Sequence, residues 1–449
     1  KGDICCSDDY CGIALASCMT KILDLIILTR HSTSFKSSDM QFAFKKKHST
    51  TMCISTFKEV VNYYNNNGSN VYCCMIDASK AFDRLRFDKL FQILKEKGVP
   101  SYILNILMNQ YLSQKLRASW DGTVSQYFSI ANGVRQGGIL SPILFTLYMD
   151  VLLKKLENSG IGCIVGNYYY GALSYADDLS LICPTVGGLQ EMLKICETFA
   201  IDFDVQFNPK KTVCICLTNQ NTPIDFKLVL NKTILKCEQT VKYLGCYIQY
   251  DLKEQSEIKV KKNEFISKSN SLISTFNFAK RRTLYDLFET FCCSFYGSQT
   301  WKFYDKSVKS IFTSWNIAIR KIFQLPYTAH TNLLSQIIKK PYISCQLSNR
   351  FLKMFDTMLS SENKRVQFIS YFASQNNCCV IRKNLNWIAN LFDVPIYDLT
   401  HLHKRYQFTP KENWKTSMIN EIIDIIDDDL DIDFEFTCMH DILAVLVTE

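Results

Sequence analysis

Two short β-prone runs in this chain are each bounded by aspartate. VYCCMI at residues 71–76 is followed by Asp77, and LSLIC at residues 179–183 is preceded by Asp177 and Asp178. Short apolar runs of this kind are typical of buried strands. If the two strands are neighbours, three carboxylates crowd one sheet edge, where their mutual repulsion favours a divalent cation. Two-metal phosphoryl transfer needs oxygen ligands converging in this way, so the pattern indicates such a site.

The remaining pattern mixes helices with strands and therefore predicts an α+β fold. Asp121-Gly122 is the strongest local signal for a two-residue hairpin, and Ser141-Pro142 predicts an N-cap followed by a first-turn proline. The other predicted elements are helices at about 84–97, 141–156 and 188–203, a turn into a strand at 206–217, a strand at 241–248, and mainly helices from about residue 254.

Charge and hydropathy restrict the class of protein. The 449-residue chain has a net charge of +8, but residues 421–435 contain eight acidic and no basic residues, so the rest carries +16. A body this basic suits a polyanion such as nucleic acid, although a solvated lysine-rich surface explains the charge equally well. The longest apolar stretch, residues 13–29, is interrupted by Lys21 and Asp24, which predicts a protein that does not cross a membrane.

Cysteine usage indicates where the protein works. The chain has 20 cysteines and no C-x-x-C pair, and no signal peptide is visible in the given sequence. This pattern favours reduced, mostly buried thiols in an intracellular protein of the nucleus or cytoplasm over a disulfide scaffold or a zinc site.

Five motifs occur in a fixed order and resemble the palm motifs of reverse transcriptases, specifically those of non-LTR (LINE-like) retrotransposons. An upstream segment, QFAFKKKHSTT at 41–51, resembles the fingers of that family. The five motifs are MIDASKAFD (75–83), NGVRQGGILSPILF (132–145), YADD (175–178), NPKKT (208–212) and KYLG (242–245). Each motif alone is a weak signal, whereas the occurrence of all five together in this order is specific.

The resemblance implies a right-hand polymerase with fingers, palm and thumb, an antiparallel palm sheet and a mostly helical C-terminal region. It implies an RNA-directed DNA polymerase that extends a DNA primer on an RNA template by two-metal-ion nucleotidyl transfer. The expected domains are a fingers segment at 1–70, the palm with remaining fingers and primer-grip elements at 71–250, a helical thumb at 251–330, and a helical C-terminal region with an acidic tail at 331–449.

The same resemblance assigns catalytic roles to matching positions. Asp77, Asp177 and Asp178 would bind two Mg²⁺ ions, with Mn²⁺ as a possible substitute. Lys211 would protonate the leaving pyrophosphate or contact the phosphates. Lys210 is the near alternative for that role, and a solvated turn lysine is the ordinary interpretation of either residue.

Substrate-binding roles follow from the same motifs. Phe82 matches an aromatic side chain that crowds a ribose 2′-hydroxyl, so dNTPs are the expected substrate, although an ordinary core phenylalanine is the alternative. Gln136 and Gly137 would approach the template and nucleotide closely. Ala78 and Tyr175 belong to the same predicted substrate site.

The predicted contacts to RNA template and DNA primer lie in three places. They are the lysine cluster Lys45, Lys46 and Lys47, the primer-grip motif Tyr243, Leu244 and Gly245, and the predicted thumb residues Lys261 and Lys262. The sequence carries no signal for an oligomeric state.

Departures from the family pattern leave alternatives open. Cys11 stands where an arginine normally grips the incoming triphosphate, and a neutral thiol cannot supply that contact. Ala43 stands where a glycine is usual. We expect a partial chain that lacks the endonuclease of LINE-like elements. A catalytically decayed protein that retains nucleic-acid binding is therefore the main alternative. A group II intron maturase is a third hypothesis, which no endonuclease-like cysteine pattern supports.

Overall fold

The structure is a computed structural model that describes residues 14–79, 82–135, 137–396 and 399, with only the backbone described at Ser79. Cys11, Gln136 and the acidic residues 421–435 lie outside these ranges. The chain divides into two compact units. The first contains Lys1–Leu244 with Glu362–Arg365, and the second contains Gly245–Ser361 with Val366–Glu449.

Helices occur along the whole described chain. Their bounds are α1 Cys18–Arg30, α2 Thr50–Asn66, α3 Phe87–Glu96, α4 Ser101–Leu112, α5 Ser141–Asn158, α6 Val186–Phe203, α7 Gln255–Thr275, α8 Arg281–Cys292, α9 Lys306–Ile322, α10 Thr331–Ile337, α11 Ile343–Leu359, α12 Lys364–Gln375 and α13 Val380–Phe392. As far as the structure describes them, no helix is long and apolar enough to cross a membrane.

Among the described residues, all strands lie before residue 250. Their bounds are β1 Val71–Ile76, β2 Ala78–Ser79, β3 Lys115–Leu116, β4 Ser119–Trp120, β5 Thr123–Val124, β6 Phe128–Ser129, β7 Ile164–Val165, β8 Tyr168–Tyr169, β9 Ala172–Tyr175, β10 Asp178–Cys183, β11 Gln206–Phe207, β12 Val213–Leu217, β13 Val229–Leu230, β14 Thr233–Ile234, β15 Lys236–Cys237, β16 Thr240–Tyr243 and β17 Cys246–Gln249.

Five strands form the central sheet of the first unit, in the order β15-β12-β1-β10-β9. β1 runs antiparallel to both neighbours, so Met75 lies opposite Ser180 of β10 and Val213 of β12. β9 is antiparallel to β10, whereas β15 is parallel to β12. The predicted α+β class with an antiparallel sheet is confirmed. Apolar residues on both faces of β1 explain its central place.

Each face of β1 and β10 packs against different helices. Cys74 and Ile76 belong to one hydrophobic core with residues of α5 and α6, including Leu144 and Leu193. On the other face, the Ser180 hydroxyl lies 3.2 Å from the hydroxyl of Tyr243, which also lies 3.2 Å from the thiol of Cys53 in α2. The sheet is therefore held on both sides, and the ends of its strands are fixed.

Most predicted elements of the first unit are confirmed with shifted ends. α3 begins at Phe87 instead of residue 84, and α6 begins at Val186 with Thr185 as its N-cap. Asp121 and Gly122 form the predicted hairpin turn between β4 and β5, with positive φ at both residues.

Two local predictions are wrong. Ser141 is the first residue of α5 and not its N-cap, which is Leu140 without a side-chain cap bond. The single strand predicted at 241–248 is interrupted, because Leu244 and Gly245 have φ values of 45° and 82° between β16 and β17. A left-handed backbone cannot continue a strand.

The second unit has an aromatic interior. The Phe265 ring lies 5.7 Å from Phe288 and 5.1 Å from Phe295, measured between ring centroids. Asn384 of α13 is fully buried, accepts a hydrogen bond from the Phe303 amide and donates one to the Trp301 carbonyl. The predicted helical character of the C-terminal region is confirmed as far as residue 392.

All cysteines that the structure describes are free thiols, and all but Cys18, Cys237 and Cys378 are buried. The expectation that the cysteines are mostly buried is confirmed for this part of the chain.

Candidate active site

Two aspartates adjoin the paired ends of β1 and β10. Ile76, the last residue of β1, pairs with Leu179 of β10. Asp77 follows Ile76 and Asp178 precedes Leu179, so both aspartates flank the last pair of this antiparallel ladder. The expectation that the two aspartate-bearing strands are neighbours is confirmed.

Asp177 lies in the two-residue turn that joins β9 to β10. Tyr175 pairs with Asp178, so Ala176 and Asp177 form the connection. Ala176 has a φ of 58°, which is unusual for a residue with a Cβ atom. The turn brings Asp177 to the edge where β1 ends, so the three aspartates share one end of the sheet.

The pKa values of two of these aspartates are raised. Burial of the carboxyl group is the first cause for Asp178, followed by the charges of Asp177 and Asp77, and together they raise its pKa to about 6. More than a third of the Asp178 residue is nonetheless exposed, so the edge is open to a ligand. Burial and the charge of Asp77 raise the pKa of Asp177. The aspartates therefore act on one another electrostatically.

This donor set suits a divalent cation. Carboxylates that raise one another's pKa are stabilised in their charged form when a cation sits among them. Within the described residues, no three His, Cys, Asp or Glu side chains are already close enough together to hold an ion. Mg²⁺ is commonly held by one or two carboxylates with waters and substrate phosphates, so a complete ligand set is not required beforehand.

The NPKKT turn is bonded to the backbone of Asp77. The amide of Asn208 donates to the Asp77 carbonyl over 2.9 Å, and the Asp77 amide faces the Thr212 hydroxyl at 3.4 Å. Lys210 and Lys211 are exposed between these two anchors. The structure therefore brings both candidate lysines to the edge that carries the aspartates, and does not distinguish between them.

Phe82 lies in a loop fixed by a second loop. Its ring is stacked on Phe145 of α5 with 4.2 Å between centroids, and it is half-buried. The Phe82 carbonyl accepts from the Val134 amide, and the Leu85 carbonyl accepts from the Gly133 amide. Phe82 thus packs against the core while part of its ring remains open.

The other predicted substrate residues differ in how far they are exposed to solvent. Ala78 is buried and pairs with Phe207, and Tyr175 is half-buried at the end of β9. Gly137 is exposed with a φ of 109°, which only glycine adopts easily. Gln136 lies outside the described residues.

The lysine cluster 45–47 is divided between interior and surface. Lys46 and Lys47 are exposed. The Lys45 ammonium donates to the Ser38 carbonyl, and burial lowers the pKa of Lys45 to about 8 although Asp39 and Asp150 raise it. Lys45 therefore serves an internal network, and only Lys46 and Lys47 present charge to solvent.

The predicted primer-grip motif also contains an interior residue. Tyr243 is 3% exposed, and burial raises the pKa of its phenol well above the ordinary value. Its side chain supports the sheet and has no surface to offer to a primer. Leu244 and Gly245 form the backbone turn after it.

Lys261 and Lys262 lie in α7 of the second unit. Lys261 is largely covered, with its ammonium 5.7 Å from the centre of the Tyr296 ring and 3.9 Å from Glu264. Lys262 is half-buried.

Sequence reasoning missed Gln41. Its fully buried side chain bonds the backbone of Ala176, directly before Asp177. A polar residue inside the apolar run MQFAF was the available signal, but nothing local indicated its partner 135 residues away.

The sequence has relatives among known proteins. A family model described as reverse transcriptase (RNA-dependent DNA polymerase) matches residues 2–248. The Pol polyprotein of the R2DM retrotransposable element of Drosophila melanogaster is 31% identical over 212 residues, which are 47% of this chain and 20% of that protein. The polymerase of the mobile element jockey from the same organism is 24% identical over 76% of this chain and 38% of its own length.

A solved telomerase from Candida tropicalis is 11% identical, covers 86% of this chain and 57% of that one, and has a TM-score of 0.40. The chain thus spans about a fifth of the R2DM protein and two fifths of the jockey protein.

Proposed function

This chain belongs to the reverse transcriptase family, and from that premise we propose that it is an RNA-directed DNA polymerase which extends a DNA primer on an RNA template with dNTPs. The observation that carries the proposal is the meeting of Asp77, Asp177 and Asp178 at one end of the β1–β10 pair. Enzymes of this family use divalent metal ions. Two Mg²⁺ ions, or Mn²⁺, would lower the pKa of the primer 3′-hydroxyl and neutralise the triphosphate.

The protein residues hold and orient the reactants. Asp77, Asp177 and Asp178 supply the carboxylates that hold the metal ions. Lys211, or Lys210 beside it, contacts the phosphates and donates a proton to the leaving pyrophosphate. The anchoring of their turn to the Asp77 backbone supports this role.

Phe82 selects the sugar of the incoming nucleotide. Its stacking on Phe145 limits how far its ring can move away from a ribose 2′-hydroxyl. Ala78, Tyr175, Gln136 and Gly137 complete the nucleotide and template site. We expect Phe82→Ala to raise UTP incorporation relative to dTTP by about tenfold or more, since removal of the ring removes a steric penalty of about 1.4 kcal/mol or more. An unchanged ratio of the two kcat/KM values would contradict this role.

Nucleic acid is held through its backbone. Exposed Lys46 and Lys47, the turn at Leu244 and Gly245, and half-buried Lys262 in the second unit contact template and primer. Lys261 is largely covered and supports its neighbours in α7. Lys45 and Tyr243 support their neighbours from the interior.

Primer extension on poly(A)/oligo(dT) tests the proposed activity. We expect dTTP incorporation that requires Mg²⁺ and is abolished by EDTA. Binding of the same duplex is measured in parallel at several salt concentrations, because phosphate contacts make affinity fall with salt. Salt-sensitive binding without any incorporation would contradict the proposed polymerase and favour the decayed nucleic-acid-binding protein.

A further inference from the structure

The side chain of Gln41 uses its whole hydrogen-bonding capacity inside the first unit. Its Oε1 accepts from the amides of Ala43 at 3.0 Å and Ala176 at 2.9 Å. Its Nε2 donates to the Ser174 hydroxyl at 3.1 Å and to the Ala176 carbonyl at 3.2 Å. A primary amide has two donor hydrogens and two acceptor positions, and all four are used here. The amide orientation is therefore fixed by its partners.

Two of these bonds go to one strained residue. Ala176 has a φ of 58°, a conformation that persists only where the surroundings over-determine it. Gln41 engages both the amide and the carbonyl of Ala176, and the Ser174 hydroxyl donates to the same carbonyl over 3.0 Å. The next residue along the chain is Asp177.

The backbone around Gln41 is held against β9 as well. The Ser174 amide donates to the Met40 carbonyl over 2.9 Å, and the Phe42 amide donates to the Ser174 carbonyl over 2.8 Å. These bonds flank Gln41 and leave its side chain little freedom. A buried glutamine often does no more than find hydrogen-bond partners for its own polar atoms. Gln41, however, joins two segments that are distant in sequence, at the turn before a candidate metal ligand.

We propose that Gln41 is a positioning residue, which fixes the Ala176–Asp177 turn and thereby sets Asp177 and Asp178 against Asp77 for metal binding. This inference rests on the proposed function of the aspartates. Residues that orient metal ligands from behind typically contribute about 10- to 100-fold in metal affinity or activity.

Two substitutions remove different numbers of the four hydrogen bonds made by the Gln41 side chain. Gln41→Met has a similar length and removes all four bonds. Gln41→Glu, the second variant, keeps the two bonds accepted from backbone amides, whereas its carboxyl group donates at most one bond, and only when it is protonated. Thr218→Val is the matched control. Thr218 is fully buried in the same unit and bonds Asn70 and the Gln220 amide, and it follows Leu217, which pairs with Val71 at the opposite end of β1 from Asp77.

Binding of Mn²⁺ alone, followed by electron paramagnetic resonance, is the primary measurement. For each variant we also measure the rate of dTTP incorporation, the KM for primer-template and the urea unfolding midpoint. We expect Gln41→Met to weaken Mn²⁺ binding and kcat by about 10- to 100-fold, with a smaller loss in Gln41→Glu and an unchanged KM for primer-template. Thr218→Val is expected to lose stability while retaining wild-type Mn²⁺ binding and kcat.

Two outcomes would overturn the inference. In the first, both Gln41 variants fold and bind Mn²⁺ with wild-type affinity. In the second, Thr218→Val loses as much Mn²⁺ affinity and kcat as the Gln41 variants, which would show that Gln41 only stabilises the fold. A wild-type protein without incorporation would refute the proposed polymerase instead, and the Mn²⁺ contrast would still decide the role of Gln41.

Discussion

At the scale of single residues, the burial of carboxylates beside one another is the main feature of the site. Asp178 follows Asp177 in the chain and precedes Leu179, which pairs with Ile76 directly before Asp77. Burial and these two charges raise the pKa of Asp178 to about 6, against an ordinary value of 3.8. The metal-free folded protein therefore carries an unfavourable charge at neutral pH, which a bound cation would relieve.

This raised pKa predicts how stability depends on pH. Since the pKa of Asp178 is higher in the folded state, its contribution to stability is complete below about pH 3.8 and is lost as the pH rises through about 6. In EDTA, Asp178→Asn should unfold at higher urea than wild type at neutral pH, with the difference shrinking towards pH 4. Urea titrations at a series of pH values measure this difference in unfolding midpoint, and Asp202→Asn, at an exposed position, is the control. A difference that is constant over this range would contradict the assigned pKa.

At the scale of elements, the loops beside the sheet depend on close backbone contact. Gly133 has a φ of 90°, and a Cβ atom added there would lie 2.6 Å from the Asp83 carbonyl oxygen. The same loop bonds Phe82 and Leu85 through the amides of Val134 and Gly133. It therefore sets the position of Phe82.

Replacing this glycine is expected to be costly. Gly133→Ala should lower the free energy of unfolding by about 1–3 kcal/mol, because it adds both a clash and an unfavourable φ. Gly187→Ala is the matched control, since a Cβ atom there meets open space at the start of α6, and it should be neutral or stabilising by up to about 1 kcal/mol. Equal unfolding midpoints for the two variants would show that the loop adapts freely.

Elements defined by local signals were predictable from the sequence. β1 and β10 were visible as short apolar runs, and the Asp121-Gly122 turn and Pro142 marked a hairpin and a helix start. The interruption of the strand at Leu244 could not be predicted from the sequence, because the positive φ of a leucine is set by its surroundings. The start of α3 shifted to Phe87, and the preceding Arg84 bonds Asp204 and Gln206, which lie 120 residues or more away.

The site itself was predictable in part. The order of motifs indicated that Asp77, Asp177, Asp178 and Lys211 belong together, and the register now brings their backbones to one sheet end. Exposure was not predictable: Tyr243 and Lys45 carry polar groups, yet their polar atoms are used by partners inside the unit. Gln41 was missed for the same reason, because its partners are distant in sequence.

At the scale of the whole molecule, the chain combines a unit with the central sheet and a helical unit. The sequence predictions for fingers, palm and thumb boundaries are finer than this division and stay predictions. The net charge of +8 suits nucleic acid as a partner. The three aspartates lie in the first unit, and their role is tested in the full chain.

The most direct test is the rate of single dTTP addition to oligo(dT) on poly(A), measured with saturating primer-template. Asp77→Asn, Asp177→Asn and Asp178→Asn keep the size of each side chain and remove its charge. Each should reduce kcat by roughly 100-fold or more, since loss of the outer partners of metal ligands alone costs about 10- to 100-fold. The exposed control Asp202→Asn should retain the wild-type rate. A folded variant of any of the three aspartates that adds dTTP at the wild-type rate would contradict the account.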